Sequence, residues 1–284
     1  MARVLIAGCG YVGAALGGAL ATESHEVWGL SRNPVTLPEG VRAIEADLGA
    51  AASLAELPVD LDMVFYMASP GGSDDVLYRT AYVEGLSNLV EALVRQGQEP
   101  DRLFLVSSTA VYAQSEGEWV DERSPTESAH FSGRRLMEAE AVLLDCPSPG
   151  TVVRFAGIYG PRRTQLLESV RAGRAVYRAS PPQWTNRIHR DDCAGVLKHL
   201  MQCRYPERLY LGVDCEPAPK GEVQRWIAGA LGAPPPRVAD SDASGSRTTR
   251  SNKRCRNDRL LASGYRFRYP TYREGYRAVI EGLG

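Results

Sequence analysis

The sequence has no excess of one charge, no metal-binding cysteine pattern, no convincing membrane-spanning run and none of the common hydrolase motifs. Each absence excludes a class of function. Lys plus Arg number 33 against 34 Asp plus Glu, a formal net charge of −1, so no global positive field draws the chain to nucleic acid or an anionic membrane. Its six cysteines, Cys9, Cys146, Cys193, Cys203, Cys215 and Cys255, stand singly. Without a C-x-x-C pair or a Cys/His spacing suited to zinc, they are expected to be free thiols in a reducing cytoplasm. The uncharged run Val4 to Thr22 is nineteen residues long but holds five glycines. Glycine-rich segments make poor bilayer helices and the apolar part ahead of Gly8-Cys9 is too short for a secretory leader, so neither a targeting nor a transmembrane role is expected. G-x-S-x-G, H-E-x-x-H and G-x-x-x-x-G-K-[ST] are missing, which removes support for hydrolase, metalloprotease and phosphate-loop readings. No internal repeat or low-complexity tract is present.

What the 284 residues do contain, 44% hydrophobic and 24% charged, is the composition of a folded globular protein. Short apolar runs at Val4 to Ala7, Glu26 to Leu30, Arg42 to Glu45, Met63 to Met67, Leu103 to Ser107 and Thr151 to Phe155 alternate with helix-length segments. Between Thr80 and Arg95 the residues Val83, Leu86, Leu89, Val90 and Leu93 recur at helical spacing, predicting a one-faced helix between strands. This alternation means βαβ units. The expected fold is α/β, a Rossmann doubly wound parallel sheet over residues 1–160, with a smaller α+β substrate-binding region over 161–284 and a helix at 190–203 that returns to the first domain. The segment Asp240 to Asp258 holds Arg247, Arg250, Lys253, Arg254 and Arg256 but almost no large apolar residue. It reads as a surface loop, with the alternative that its cations meet a phosphate-bearing substrate.

Gly8-Cys9-Gly10-Tyr11-Val12-Gly13 satisfies G-x-G-x-x-G directly after a strand and at the start of a helical stretch, the context in which this pattern binds a dinucleotide. Gly8 serves the tight turn, Gly10 the approach of a pyrophosphate and Gly13 close helix–strand packing, while the helix start offers N–H groups to the anion. Nineteen residues past Gly13, where NAD-selective folds often carry a carboxylate, stands Ser31-Arg32. A hydroxyl and a guanidinium suit a 2′-phosphate, so NADP is expected as cofactor, with NAD as the alternative. Asp47-Leu48, closing the third strand, is a candidate for the adenine.

Several stretches together resemble the extended short-chain dehydrogenase/reductase superfamily, of the NAD-dependent epimerase/dehydratase type and its atypical branch. They are the glycine loop, Ala46-Asp47-Leu48, Val83 to Leu89, Val106 to Tyr112, Arg154 to Pro161, Ile188 to Asp192 and the C-terminal Asn257 to Tyr276. The resemblance implies a cofactor site that also includes Met67, Ala68 and Phe155, a small-molecule substrate, often a nucleotide-sugar, and subunits that often pair through two helices. It further implies a catalytic Ser, Tyr and Lys. The Tyr exchanges a proton with the substrate, Lys lowers its pKa and holds the nicotinamide ribose, and Ser orients the substrate oxygen. Ser108 stands where the family's serine stands.

The Tyr-x-x-x-Lys segment is missing. In its place runs His130-Phe131-Ser132-Gly133-Arg134-Arg135-Leu136-Met137-Glu138. If Glu138 matches the family's glutamate four residues past Lys, His130 replaces Tyr and Arg134 replaces Lys; shifted by one, the pair is Phe131 and Arg135. The first register is preferred. Arginine keeps its charge, so Arg134 is a clamp and no part of a proton relay, whereas an imidazole at His130 can deliver a proton. Tyr112 and Tyr82 are further phenols within the same stretches, and Tyr82 stands where the family often has Asn. Thr109-Ala110 replaces the acidic pair of sugar-nucleotide dehydratases. His189 with Asp191-Asp192 lacks a third ligand, so no metal is expected. The expectation is an NAD(P)-dependent oxidoreductase or epimerase; the alternative is a dinucleotide-binding sensor or scaffold that has lost catalysis.

Overall fold

The computed structural model describes residues 1–34, 37–239 and 252–283. In chain order the elements are β1 (Arg3–Ala7), α1 (Tyr11–Thr22), β2 (Glu26–Ser31), β3 (Val41–Glu45), β4 (Met63–Tyr66), α2 (Asp75–Tyr78), a π-helical segment at Arg79–Glu84, α3 (Gly85–Arg95), β5 (Arg102–Ser108) and β6 (Glu118–Val120). There follow α4 (Phe131–Leu144), β7 (Gly150–Phe155), β8 (Gly157–Tyr159), α5 (Gln165–Arg171), β9 (Val176–Tyr177), β10 (Trp184–Thr185), β11 (Arg187–His189), α6 (Arg190–Gln202) and β12 (Leu209–Gly212). The chain ends with β13 (Ala218–Pro219), α7 (Lys220–Leu231), β14 (Arg237–Val238), β15 (Lys253–Cys255), α8 (Asp258–Ala262) and α9 (Tyr272–Glu281).

Seven strands make one sheet in the order β12-β7-β5-β4-β1-β2-β3, the doubly wound Rossmann arrangement of an α/β fold. Val4, Leu5, Ile6 and Ala7 of β1 are all fully buried, as a strand covered on both faces requires. The six apolar runs read from the sequence fall within a residue of β1, β2, β3, β4, β5 and β7. The periodic helix over Thr80 to Arg95 is in part different, because Arg79–Glu84 is π-helical before regular α3 begins. The Tyr66 hydroxyl of β4 donates to the carbonyl of Ala81 at 2.5 Å, and this inserted side chain diverts one carbonyl from the helical ladder.

The chain divides into two compact units. One comprises residues 1–111, 126–154 and 194–210, the other 112–125, 155–193 and 211–284. The first holds a core of Leu5, Leu30, Val64, Tyr66, Leu86, Leu89, Leu103, Leu105 and Leu143 around its strands. The second packs Tyr159, Leu167, Val170, Val223, Ile227, Tyr272 and Tyr276 from α5, α7 and α9, with short parallel pairs β8 with β11 and β6 with β15.

Candidate functional site

The centre of the first unit is its topological switch point. β1 and β4 lie side by side although β2 and β3 separate them in sequence, so a crevice opens beyond the carboxyl ends of these two strands. Gly8 closes β1 there with φ +91°, and a Cβ on it would stand 2.5 Å from the amide nitrogen of Ala68. Only glycine fits both the backbone conformation and the approach of the chain after β4. Its amide and that of Cys9 each donate to the Leu30 carbonyl at 2.9 Å, and Met67 N donates to Ala7 O at 2.7 Å, which draws Met67 and Ala68 across the loop. A Cβ on Gly13 would stand 3.0 Å from Ile6, whereas one on Gly10 would meet nothing nearer than Gly8 O at 4.0 Å. The space in front of Gly10 is therefore open, as a pyrophosphate needs. α1 begins at Tyr11, buries Val12 and Gly13, and has no acidic residue in its first turn. Its N–H dipoles thus face the cradle without a competing carboxylate. These residues fit a dinucleotide.

Ser31 ends β2 half-buried, and Arg32 beyond it is exposed, 3.9 Å from where a Gly71 side chain would begin in the segment after β4. Asp47 is exposed, and its Oδ1 accepts the Gly49 N–H at 2.9 Å, while the Asn88 amide holds the Leu48 carbonyl at 2.8 Å.

Ser108 ends β5, and its Oγ accepts the Ala110 N–H at 3.2 Å. α4 begins against this turn: a Cβ on Gly133 would come within 2.6 Å of the Ala110 carbonyl. His130 is the N-cap of α4, its Nδ1 accepting the Ser132 N–H at 3.3 Å and lying 2.8 Å from Ser132 Oγ. Arg134 is exposed. Arg135 binds Asp75 at 2.7 Å and Glu138 at 2.8 Å, and the Arg135 hydrogen bond holds the Asp75 carboxyl below its ordinary range.

The two glutamates of α4 stand in different surroundings. Glu138 is exposed. The buried glutamate of α4 is Glu140, which accepts Ser107 Oγ at 2.6 Å and Arg154 at 2.9 and 2.5 Å. Two residues on a helix are about 200° apart, so only one of these glutamates can face the sheet, and Arg154 draws Glu140 there. This Ser107–Glu140–Arg154 network escaped the sequence reading.

In the second unit, Tyr112 is buried and its hydroxyl donates to the Asp121 carbonyl at 2.8 Å. The Phe155 ring is buried against Gly212. Lys253 and Arg254 are fixed in β15. Lys253 is 3% exposed, its Nζ donates to Tyr112 O at 3.1 Å, and burial lowers its pKa. Arg254 lies 4.8 Å from the rings of both Trp119 and Trp184. For these two cations the loop reading gives way to a strand; Arg247 and Arg250 lie outside the described residues. Asp192 accepts Tyr265 Oη, Arg268 N and Tyr269 N at 2.8, 2.8 and 3.0 Å, and burial raises its pKa.

The model of the NAD dependent epimerase/dehydratase family matches residues 4–199. The chain belongs to this family. A nicotinamide dinucleotide is accordingly the cofactor class of this epimerase/dehydratase-family protein. It is similar to a 3-diazoavenalumate denitrifying reductase of a Streptomyces species, 26% identical, with 96% of this chain and 98% of that protein covered. Among solved structures, a putative NAD-dependent epimerase/dehydratase from Methylobacillus flagellatus is 38% identical, with a TM-score of 0.81 and coverage of 99% of this chain and 98% of that one. The human epimerase family protein SDR39U1 with NADPH is 25% identical, with a TM-score of 0.82 and coverage of 99% and 100%. Among the described residues no helix is long and apolar enough to cross a membrane.

Proposed function

We propose that this family member is an NADP-dependent oxidoreductase or epimerase, with NAD as the alternative cofactor. Its substrate is the alcohol or carbonyl of a small molecule, with nucleotide-linked sugars the first class to test. The observation that carries the reading is Arg32, exposed just past β2 in the unit that holds the open glycine cradle, a guanidinium at the position where NAD-selective folds often carry a carboxylate. The NADPH of the human relative and the reductase name of the Streptomyces relative point the same way. When bound, the cofactor supplies or accepts hydride. The chain's own part is to seat the pyrophosphate on the Gly8 to Gly13 loop, orient the substrate oxygen with Ser108, and move a proton near the start of α4.

Calorimetry with NADP and NAD tests the cofactor. Arg32→Asp should weaken NADP by about tenfold or more and leave NAD within about threefold, the loss expected for one charge-assisted contact. Equal losses would count against a 2′-phosphate role for Arg32. Steady-state assays over a sugar-nucleotide panel test catalysis, with Ser108→Ala expected to lower turnover. The sensor or scaffold reading has its own support, since α4 contains neither tyrosine nor lysine. Dinucleotide affinity without turnover on any panel member would select it, and absence of dinucleotide binding would sink both readings.

A further inference from the structure

A helix without tyrosine or lysine leaves the proton that accompanies hydride transfer without its usual carrier. Glu140 offers a second anchor for that carrier's place. Glu140 bonds Arg154, which opens one of the family-like stretches, while Glu138 pairs with Arg135 of its own helix. With Glu140 as the anchor, the lysine place four residues earlier is Leu136, buried and apolar. The tyrosine place, four residues earlier again, is Ser132. Ser132 is half-buried and directly precedes Gly133, the residue pressed on the Ala110 carbonyl beside the Ser108 turn. Its hydroxyl lies 2.8 Å from the imidazole of His130.

We propose that Ser132 and His130 form the proton carrier of this site, with Ser132 Oγ exchanging the proton with the substrate oxygen and His130 Nδ1 exchanging it with Ser132. The proposal rests on the dinucleotide-dependent reading above. In reduction, a substrate carbonyl carbon gains hydride from the reduced nicotinamide dinucleotide as its C=O π bond breaks. The oxygen takes the Ser132 Oγ proton, and Oγ takes the proton of His130 Nδ1. The imidazolium is left neutral, the dinucleotide is left oxidised, and solvent restores the imidazolium. In oxidation each transfer reverses. An unprotonated Nδ1 accepts from the hydroxyl and from the Ser132 N–H, and a protonated one donates to the hydroxyl and gives up the N–H cap. Leu136 at the lysine place excludes water and carries no charge. On the packed elements, Arg135 with its partners Asp75 and Glu138 leaves one negative charge in excess, which the exposed Arg134 beside them offsets.

The test that does not depend on turnover is an NMR titration of the His130 ring, assigned with His130→Gln, in the free protein and in its NADP+ and NADPH complexes. The oxidised nicotinamide ring carries a positive charge that disfavours a nearby imidazolium. The His130 midpoint is therefore expected about half a pH unit lower with NADP+ than with NADPH. Ser132→Ala should leave dinucleotide affinity and the His130 cap on the Ser132 N–H intact. In any panel reaction the wild type catalyses, it should lower kcat by about a hundredfold, the scale of a general acid, and Ser132→Thr should restore most of it. Binding of both dinucleotides with one and the same His130 midpoint would overturn the proposal and leave the cofactor reading standing. So would a wild-type kcat in Ser132→Ala, or an absence of turnover with every panel member. Failure of both dinucleotides to bind would remove the cofactor reading and this proposal together.

Discussion

At the scale of single residues, the strongest constraints lie where backbone meets backbone or charge is buried. Gly8 combines φ +91° with the Ala68 amide nitrogen, 2.5 Å from where any Cβ would stand. Gly8→Ala must therefore strain φ and push Met67 and Ala68 away. A loss of about 2–4 kcal/mol in unfolding free energy is expected, together with loss of dinucleotide binding; a variant that melts and binds like wild type would show that the loop has another way to close. Glu140→Gln halves a buried pair and leaves Arg154 without its counter-ion, and urea unfolding should register about 3–5 kcal/mol. Glu138→Gln, on an exposed pair, should register less than about 1 kcal/mol. Equal costs would mean that the two glutamates have been assigned to the wrong faces. The glycine loop was legible in the sequence because its residue types and spacing carry their own backbone requirement. Glu140 was not, because Glu138 and Glu140 flank the buried Ala139, and helical spacing alone does not say which of them a distant arginine selects.

At the scale of elements, the buried strands β1, β2, β4, β5 and β7 were legible, as was the more exposed edge strand β3, but the buried β12 was not. The apolar runs of β1, β2, β4, β5 and β7 announce parallel strands, whereas β12, four residues at the sheet edge, and the two- and three-residue strands of the second unit carry no periodicity. The π-helical Arg79–Glu84 was hidden because its cause, the Tyr66 hydroxyl, comes from another strand. The second unit's helix α9 shows the same dependence on remote partners. It starts with a capping box, Thr271 and Glu274 each bonding the other's backbone, which local sequence can encode. Its packing, however, depends on Gly275, where any Cβ would run into the Tyr159 hydroxyl. Tyr159 stacks on Tyr276 at 4.3 Å, so Gly275→Ala must separate helix from ring. A cost of about 1–3 kcal/mol is expected in thermal unfolding, against about 1 kcal/mol for Thr271→Ala, which loses only the cap. If the cap variant proved the more damaging, close packing of α9 on Tyr159 would not be what holds it.

At the scale of the whole molecule, two buried groups of the second unit tie stability to pH with opposite signs. Asp214 is 2% exposed, one carboxylate oxygen has no partner among the described residues, and burial pushes its pKa up to about 7 despite Arg187 nearby. Its folded value exceeds its unfolded value near 3.8, so its contribution is complete below about pH 4 and is lost as pH rises through 7. His189, 2% exposed with Nδ1 accepting the Asp191 N–H, is pushed down to about 4 by burial. Its contribution is complete above its unfolded value near 6.5 and is lost as pH falls through 4. Between about pH 4 and 6.5 the two slopes oppose each other, which should make the wild-type stability profile flat there. Asp214→Asn removes one slope and keeps the Oδ1 acceptor for the Glu216 N–H. Its stability should then climb with pH across that window by about 3 kcal/mol at most, level off above pH 6.5, and match or exceed wild type at pH 8. Urea midpoints collected at half-unit steps from pH 4 to 8 would read this directly. Parallel wild-type and variant profiles would mean that Asp214 is ionised throughout, held so by Arg187, and that the buried pair opposes unfolding as an ion pair after all.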